Sequence, residues 1–95
     1  MPEMHFRVRW PDGSRMRCYS PSSTLRDAFT LNTPYPLQDF VERCRVALEH
    51  ASARVAQKYG FGCGQALAQI QEIERAALQF AEQPDASVVI EAFED

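Results

Sequence analysis

The sequence predicts an α+β domain of order ββααβ, and three observations predict it. Residues 4–10 alternate strictly between apolar and polar, and a short turn returns the chain into a second alternating run. From Leu37 the apolar period lengthens to that of a helix, and it does so twice, on either side of a glycine-rich corner. After Pro84 a β-branched run brings the chain back to strand character. The expected architecture is an N-terminal β-hairpin, a long antiparallel helical hairpin and a C-terminal strand completing a three-stranded sheet, with the helices on one face. All of it lies in one domain spanning 1–95.

In the first run Met4, Phe6, Val8 and Trp10 share one face of an extended chain, and His5, Arg7 and Arg9 share the other. Pro11-Asp12-Gly13 follows, then the return strand Arg15–Ser20. A three-residue loop with Gly13 in the left-handed region closes such a hairpin with a bulge. It sets Val8 opposite Met16 and Phe6 opposite Cys18, so both strands turn their apolar residues to one side. A two-residue Asp12-Gly13 turn would oppose Val8 to Arg17 and mix the faces. The longer loop is therefore expected.

Ser22 or Ser23 suits the cap of a short helical turn reaching Ala28, with Leu25 and Phe29 pinning it to the core. Residues 31–36 read as loop, because Pro34 and Pro36 disfavour helix in the residues before them. Pro36 then suits the first turn of a helix. Leu37, Phe40, Val41, Cys44, Ala47, Leu48, Ala51, Val55 and Tyr59 step by three and four, which predicts one helix over Leu37–Tyr59. Gly60 is the natural left-handed C-cap. A second helix runs from Gly64 or Gln65 to Phe80 or Glu82, with Ala66, Leu67, Ile70, Ile73, Ala77, Phe80 and Ala81 as its buried stripe, broadened by Leu78.

The last strand, Ser87–Phe93, places Val88, Ile90 and Ala92 on one side and Val89, Glu91 and Phe93 on the other. Neither side is clearly polar. Such a strand lies centrally in a sheet or is covered on its second face by another subunit, which argues for a homodimer. Ninety-five residues also leave a modest core that a dimer interface would extend.

Composition narrows the function classes. A net charge of −3 disfavours a dedicated nucleic-acid binder. No apolar run approaches the ~20 residues of a membrane span, and no secretory leader precedes the first strand, so a cytoplasmic protein is expected. Cys18, Cys44 and Cys63 are odd in number and widely spaced, unlike a disulfide framework or a zinc site. No P-loop, dinucleotide fingerprint or Cys/His and His/carboxylate arrangement is present. Hence no catalytic residue, metal ligand or cofactor is assigned.

Two stretches carry candidate binding chemistry. Arg7, Arg9, Arg15 and Arg17 gather four of the ten basic residues on the polar face of the hairpin. That face is either a docking surface for phosphate, nucleic acid or an acidic partner, or a solvated sheet face whose arginines pair with Glu91. Gly62-Cys63-Gly64 sits where the second helix begins, and backbone N–H groups there favour an anion or a thiolate. The alternative is a tight turn between helices, with Cys63 inert. Cys44 and Cys18 fall on apolar faces and read as core.

Arg7-Val8-Arg9-Trp10-Pro11-Asp12-Gly13, Cys18-Tyr19-Ser20-Pro21-Ser22, Tyr35-Pro36-Leu37, Asp39-Phe40, Ala51-Ser52 and Lys58-Tyr59-Gly60-Phe61-Gly62-Cys63 together resemble a small nitrogen starvation response family encoded in bacterial nitrilase-type gene clusters. The resemblance spans nearly the whole chain and is loosest at residues 25–34. It implies a cytoplasmic accessory protein, co-encoded with a nitrilase, a radical enzyme and an acetyltransferase-like protein, and transfers no catalytic residue. The expected function is a non-enzymatic accessory or regulatory protein that self-associates or binds a partner from the cluster. The alternative is a small-molecule or anion binder at Gly62-Cys63-Gly64.

Overall fold

The computed structural model describes residues 3–60, 64–83 and 85–94. Strands β1 (Met4–Arg9) and β2 (Arg15–Ser20) form the hairpin, in the register that the three-residue loop dictates: Val8 faces Met16 and Phe6 faces Cys18. Gly13 is left-handed at φ 87°, and the Trp10 N–H donates to Ser14 O at 2.8 Å. Asp12 accepts from the N–H and the hydroxyl of Ser14, and these bonds hold its carboxyl below the usual carboxylate value. Ser22 caps a 3₁₀ turn over Ser23–Ala28 by accepting from Thr24 N, and Leu25 and Phe29 are buried beneath it.

The sheet has four strands rather than three. Tyr35–Pro36 forms a two-residue strand, β3, paired with β4 (Ser87–Glu94), where proline chemistry predicts loop. An edge position explains how: Pro36 lacks an N–H, and only an edge strand tolerates that loss. Asn32 N–H donating to Ile90 O and Leu37 N–H donating to Ala86 O tie the segment down on either side. The order is β2-β1-β4-β3, antiparallel throughout, so the first and last long strands lie side by side in the middle.

Pairing of β1 with β4 contains a shift. Arg7 faces Ala92 but Val8 faces Ile90, which leaves Glu91 as an extra residue. Beyond it the alternation is reversed. Phe93 lies opposite buried Phe6 and packs partly buried on the core, instead of sharing a face with Val89 and Glu91. Phe93 thus leaves the side it was expected to share, and β4 lies centrally between β1 and β3, the first of the two alternatives for such a strand, so it gives no separate argument for a covering subunit.

Helix α1 spans Leu37–Tyr59, as its periodicity predicts; Pro36 stays extended as its N-cap instead of entering the first turn. Gly60 ends it at φ 86°, with its N–H donating to Ala56 O. Helix α2 covers Gly64–Leu78 and then tightens: Gln79, Phe80 and Ala81 donate to the carbonyls three residues back. It therefore stops short of the expected Phe80 or Glu82. Both helices cover the same sheet face, where Met4, Phe6, Val8, Cys18, Val88 and Ile90 meet Phe40, Cys44, Leu48, Ile70 and Ile73.

The buried arc of α2 is rotated from the expected stripe. Leu67, Leu78 and Ala81 are exposed, whereas Gln69 is buried. The cause is the free edge of β2. Its Tyr19 N–H has no strand neighbour and donates instead to Gln69 Oε1 at 2.9 Å. That bond satisfies the edge amide, while Gln69 Nε2 is itself buried with no hydrogen-bond partner among the described residues.

Aromatic rings close the end of the core near Trp10. Its indole stacks on Phe80 at 6.0 Å and meets the edge of Phe40 at 5.8 Å, and Phe40 continues to Phe29 and Tyr35. The buried indole Nε1–H of Trp10 has no hydrogen-bond partner among the described residues. Trp10→Ala is expected to lower unfolding free energy by about 3–5 kcal/mol. Trp10→Phe, which keeps the stack and deletes the unpaired donor, should cost less than about 1.5 kcal/mol. Urea denaturation of the two variants checks both; equal losses would refute the stacking account.

Candidate functional site

The structure gathers all four arginines of the sequence reading on the sheet face opposite the helices. The hairpin register sets Arg7 directly opposite Arg17 and Arg9 directly opposite Arg15, two like-charged pairs that repel. Each pair is bridged by one glutamate of β4. Glu91 accepts from Arg9 Nη1 at 3.1 Å and Arg15 Nε at 2.8 Å. Glu94 accepts from Arg7 Nη2 at 2.9 Å and Arg17 Nε at 2.9 Å. The arginines of β2 thus reach over β1 to the carboxylates beyond it.

Pairing with Glu91 is legible in the sequence, but Glu94 is not. Residues three apart lie on opposite faces of a regular strand. Only the extra residue at Glu91 lets both carboxylates project to the same side. No local motif announces such a bulge.

Four guanidinium groups against Glu91, Glu94 and Glu3, which accepts from the Tyr19 hydroxyl at 3.0 Å, leave the face positively charged. Arg15 and Arg17 spend only Nε on their partners, and their side chains are 61% and 60% exposed, so their outer forks stand in water. This arrangement is suited to attracting anions, weakly and with strong dependence on salt. It is unsuited to acid–base work. The Arg15 hydrogen bond holds Glu91 below the usual carboxylate value, and the Arg17 bond does the same for Glu94, so both stay ionised at neutral pH.

Cysteine chemistry is equally constrained. Burial pushes the Cys18 thiol up to about 12 and raises Cys44 well above its ordinary value, so neither supplies a thiolate. Of the glycine corner, Gly62 and Cys63 lie outside the described residues. Gly64 opens α2, and a Cβ added there would meet nothing within 4 Å. It lines a depression with Leu48, Leu67 and Ile70, where Glu49 is the charged side chain among the described residues. A carboxylate at that place opposes an anion.

His5 lies edge-on to Tyr19 on the arginine face. His50 lines an open groove of about 610 Å³ between the 3₁₀ turn and α1, beside Asp27, Arg43 and Arg54. Among the described residues no group of three or more His, Cys, Asp or Glu side chains is placed to hold a metal ion, and no helix is long and apolar enough to cross a membrane.

Compared with known protein families, residues 5–93 match the family described as nitrogen starvation-induced protein NitG. No curated protein and no solved structure matches the chain.

The two bridges predict a pH response. A carboxyl whose folded value lies below its ordinary 4.5 adds stability that is fully present above 4.5 and is lost as pH falls through the folded value. Glu91→Gln with Glu94→Gln should lower Tm at pH 7 by no more than about 5 °C, since exposed ion pairs are individually weak. The gap between variant and wild type should close as pH falls below 4.5. Thermal melts by circular dichroism from pH 7 to 3 test this; a gap independent of pH would show that the bridges contribute nothing.

Proposed function

The chain belongs to the family of nitrogen starvation-induced protein NitG, and we propose that it serves that response as a non-catalytic accessory or regulatory protein. It acts by binding, either to a second copy of itself or to a protein encoded in the same nitrilase-type gene cluster. The observation that carries this reading is the solvent exposure of Leu67 and Leu78, at 58% and 71%, on the outer side of the helical hairpin. Single exposed leucines are ordinary. Each lines a depression between α1 and α2, and the two depressions follow the same pair of helices, the kind of surface that a partner covers.

The chemistry on the opposite side supports the same reading. Its two β4 carboxylates are held ionised by arginines, and the two described cysteines are sealed in the core. The widely spaced thiols suit a reducing cytoplasm.

The test is to cross-link and isolate the tagged protein from nitrogen-starved and nitrogen-replete cells, alongside sedimentation of the purified chain. A dimer in solution, or one cluster-encoded protein enriched under starvation, is the expected result. A strict monomer recovered alone in both conditions would refute the binding role.

A further inference from the structure

The furrow on the helical face has a chemistry that selects its occupant. At one end Leu37, Val41, Ala77 and Leu78 line a depression of about 320 Å³, with Glu42 and Glu74 at its rim. At the other, Leu48, Leu67 and Ile70 line one of about 370 Å³, with Glu49 at its rim. No basic side chain among the described residues lines either. Arg45, between them on α1, is committed to Glu42 and Glu49 of its own helix. Three carboxylates against one guanidinium leave an apolar furrow with an acidic rim.

Geometry sets the shape of the ligand. From Gln38 to Ser52 the furrow follows α1 for about 21 Å, and Leu67 and Leu78 stand about 16 Å apart along α2. Two apolar depressions spaced over that length along one helix pair are reached together by a third helix of about 14 residues. Its apolar anchors would recur at three- and four-residue steps.

Resting on the reading above that this protein works by binding, we propose that the α1/α2 furrow is the docking site for a basic amphipathic helix of another protein. Charge decides against a second copy. Two such furrows face to face would bring Glu42, Glu49 and Glu74 of one chain against the same residues of the other, and like charges at an interface are penalised. Lysines or arginines flanking an apolar stripe would instead meet the rim, with leucine-like anchors seated at Leu78 and Leu67. The arginine face on the other side of the molecule repels the same helix, so the helical side is the one it binds.

The test uses the full chain and three synthetic peptides of about 15 residues. One carries leucines at i, i+4, i+7 and i+11 with lysines flanking them, one replaces the lysines with glutamates, and one scrambles the lysine peptide. Backbone NMR titration should show the lysine peptide perturbing residues around Leu67, Val41 and Leu78. It should bind about tenfold or more tightly than either control, with affinity falling as salt rises.

Leu67→Ser with Leu78→Ser should abolish that preference while leaving Tm close to wild type, because both side chains are already in water. Equal binding of the three peptides, perturbations confined to the arginine face, or dimerisation that the double variant abolishes would each overturn the proposal. Isolation from starved cells separates its failure from that of the broader reading. A partner held equally by wild type and by the Leu67/Leu78 variant sinks the furrow and spares the binding role, whereas no partner and no dimer sink both.

Discussion

The structure turns on one extra residue. Glu91 has no opposite number on β1, and that bulge decides what β4 shows to each side of the sheet. Before it, Val88 and Ile90 enter the core; after it, Phe93 does, three residues from Ile90 where a regular strand would require an even step. The outer face gains what the inner face gives up. Glu91 and Glu94 both point outward, each beside a pair of arginines that the hairpin register has already forced together. Without the bulge Phe93 and Glu94 would both lie on the wrong side, the ring in water and the carboxylate in the core. A buried carboxylate would be the costlier error.

The helical layer answers a different demand, the open edge of β2. Gln69 turns inward to take the Tyr19 N–H, and this choice of face leaves Leu67 and Leu78 in solvent. A backbone group left over from the sheet therefore shapes the surface on the far side of the molecule. The two faces end with opposite character: a bonded arginine lattice on the sheet, and an apolar furrow with carboxylates along its rim on the helices.

Much of this was readable from local chemistry. The strict alternation of residues 4–10 and the left-handed Gly13 specify the hairpin register, because any other turn mixes polar and apolar faces. The bounds of α1 follow from its apolar period, Pro36 before it and Gly60 after it. Ser22 caps its turn by the same local logic. Of the candidate sites, the four arginines are found together because a single strand pair carries them. Gly60 takes the cap that its position implies, while Gly62 and Cys63 fall outside the described residues.

What escaped the sequence shares one physical origin. Alternation, capping and helical period depend on neighbours within a few positions, and the chain states them directly. The position of β4 between β1 and β3, the bulge that turns Phe93 inward, the recruitment of Tyr35–Pro36 to an edge and the inward rotation of Gln69 depend on partners dozens of residues away. Each depends on which distant groups come to lie side by side, and no local pattern records which of them will be left unpaired. Local chemistry made the hairpin and the helices; the pairing of remote edges chose which side chains they show to water.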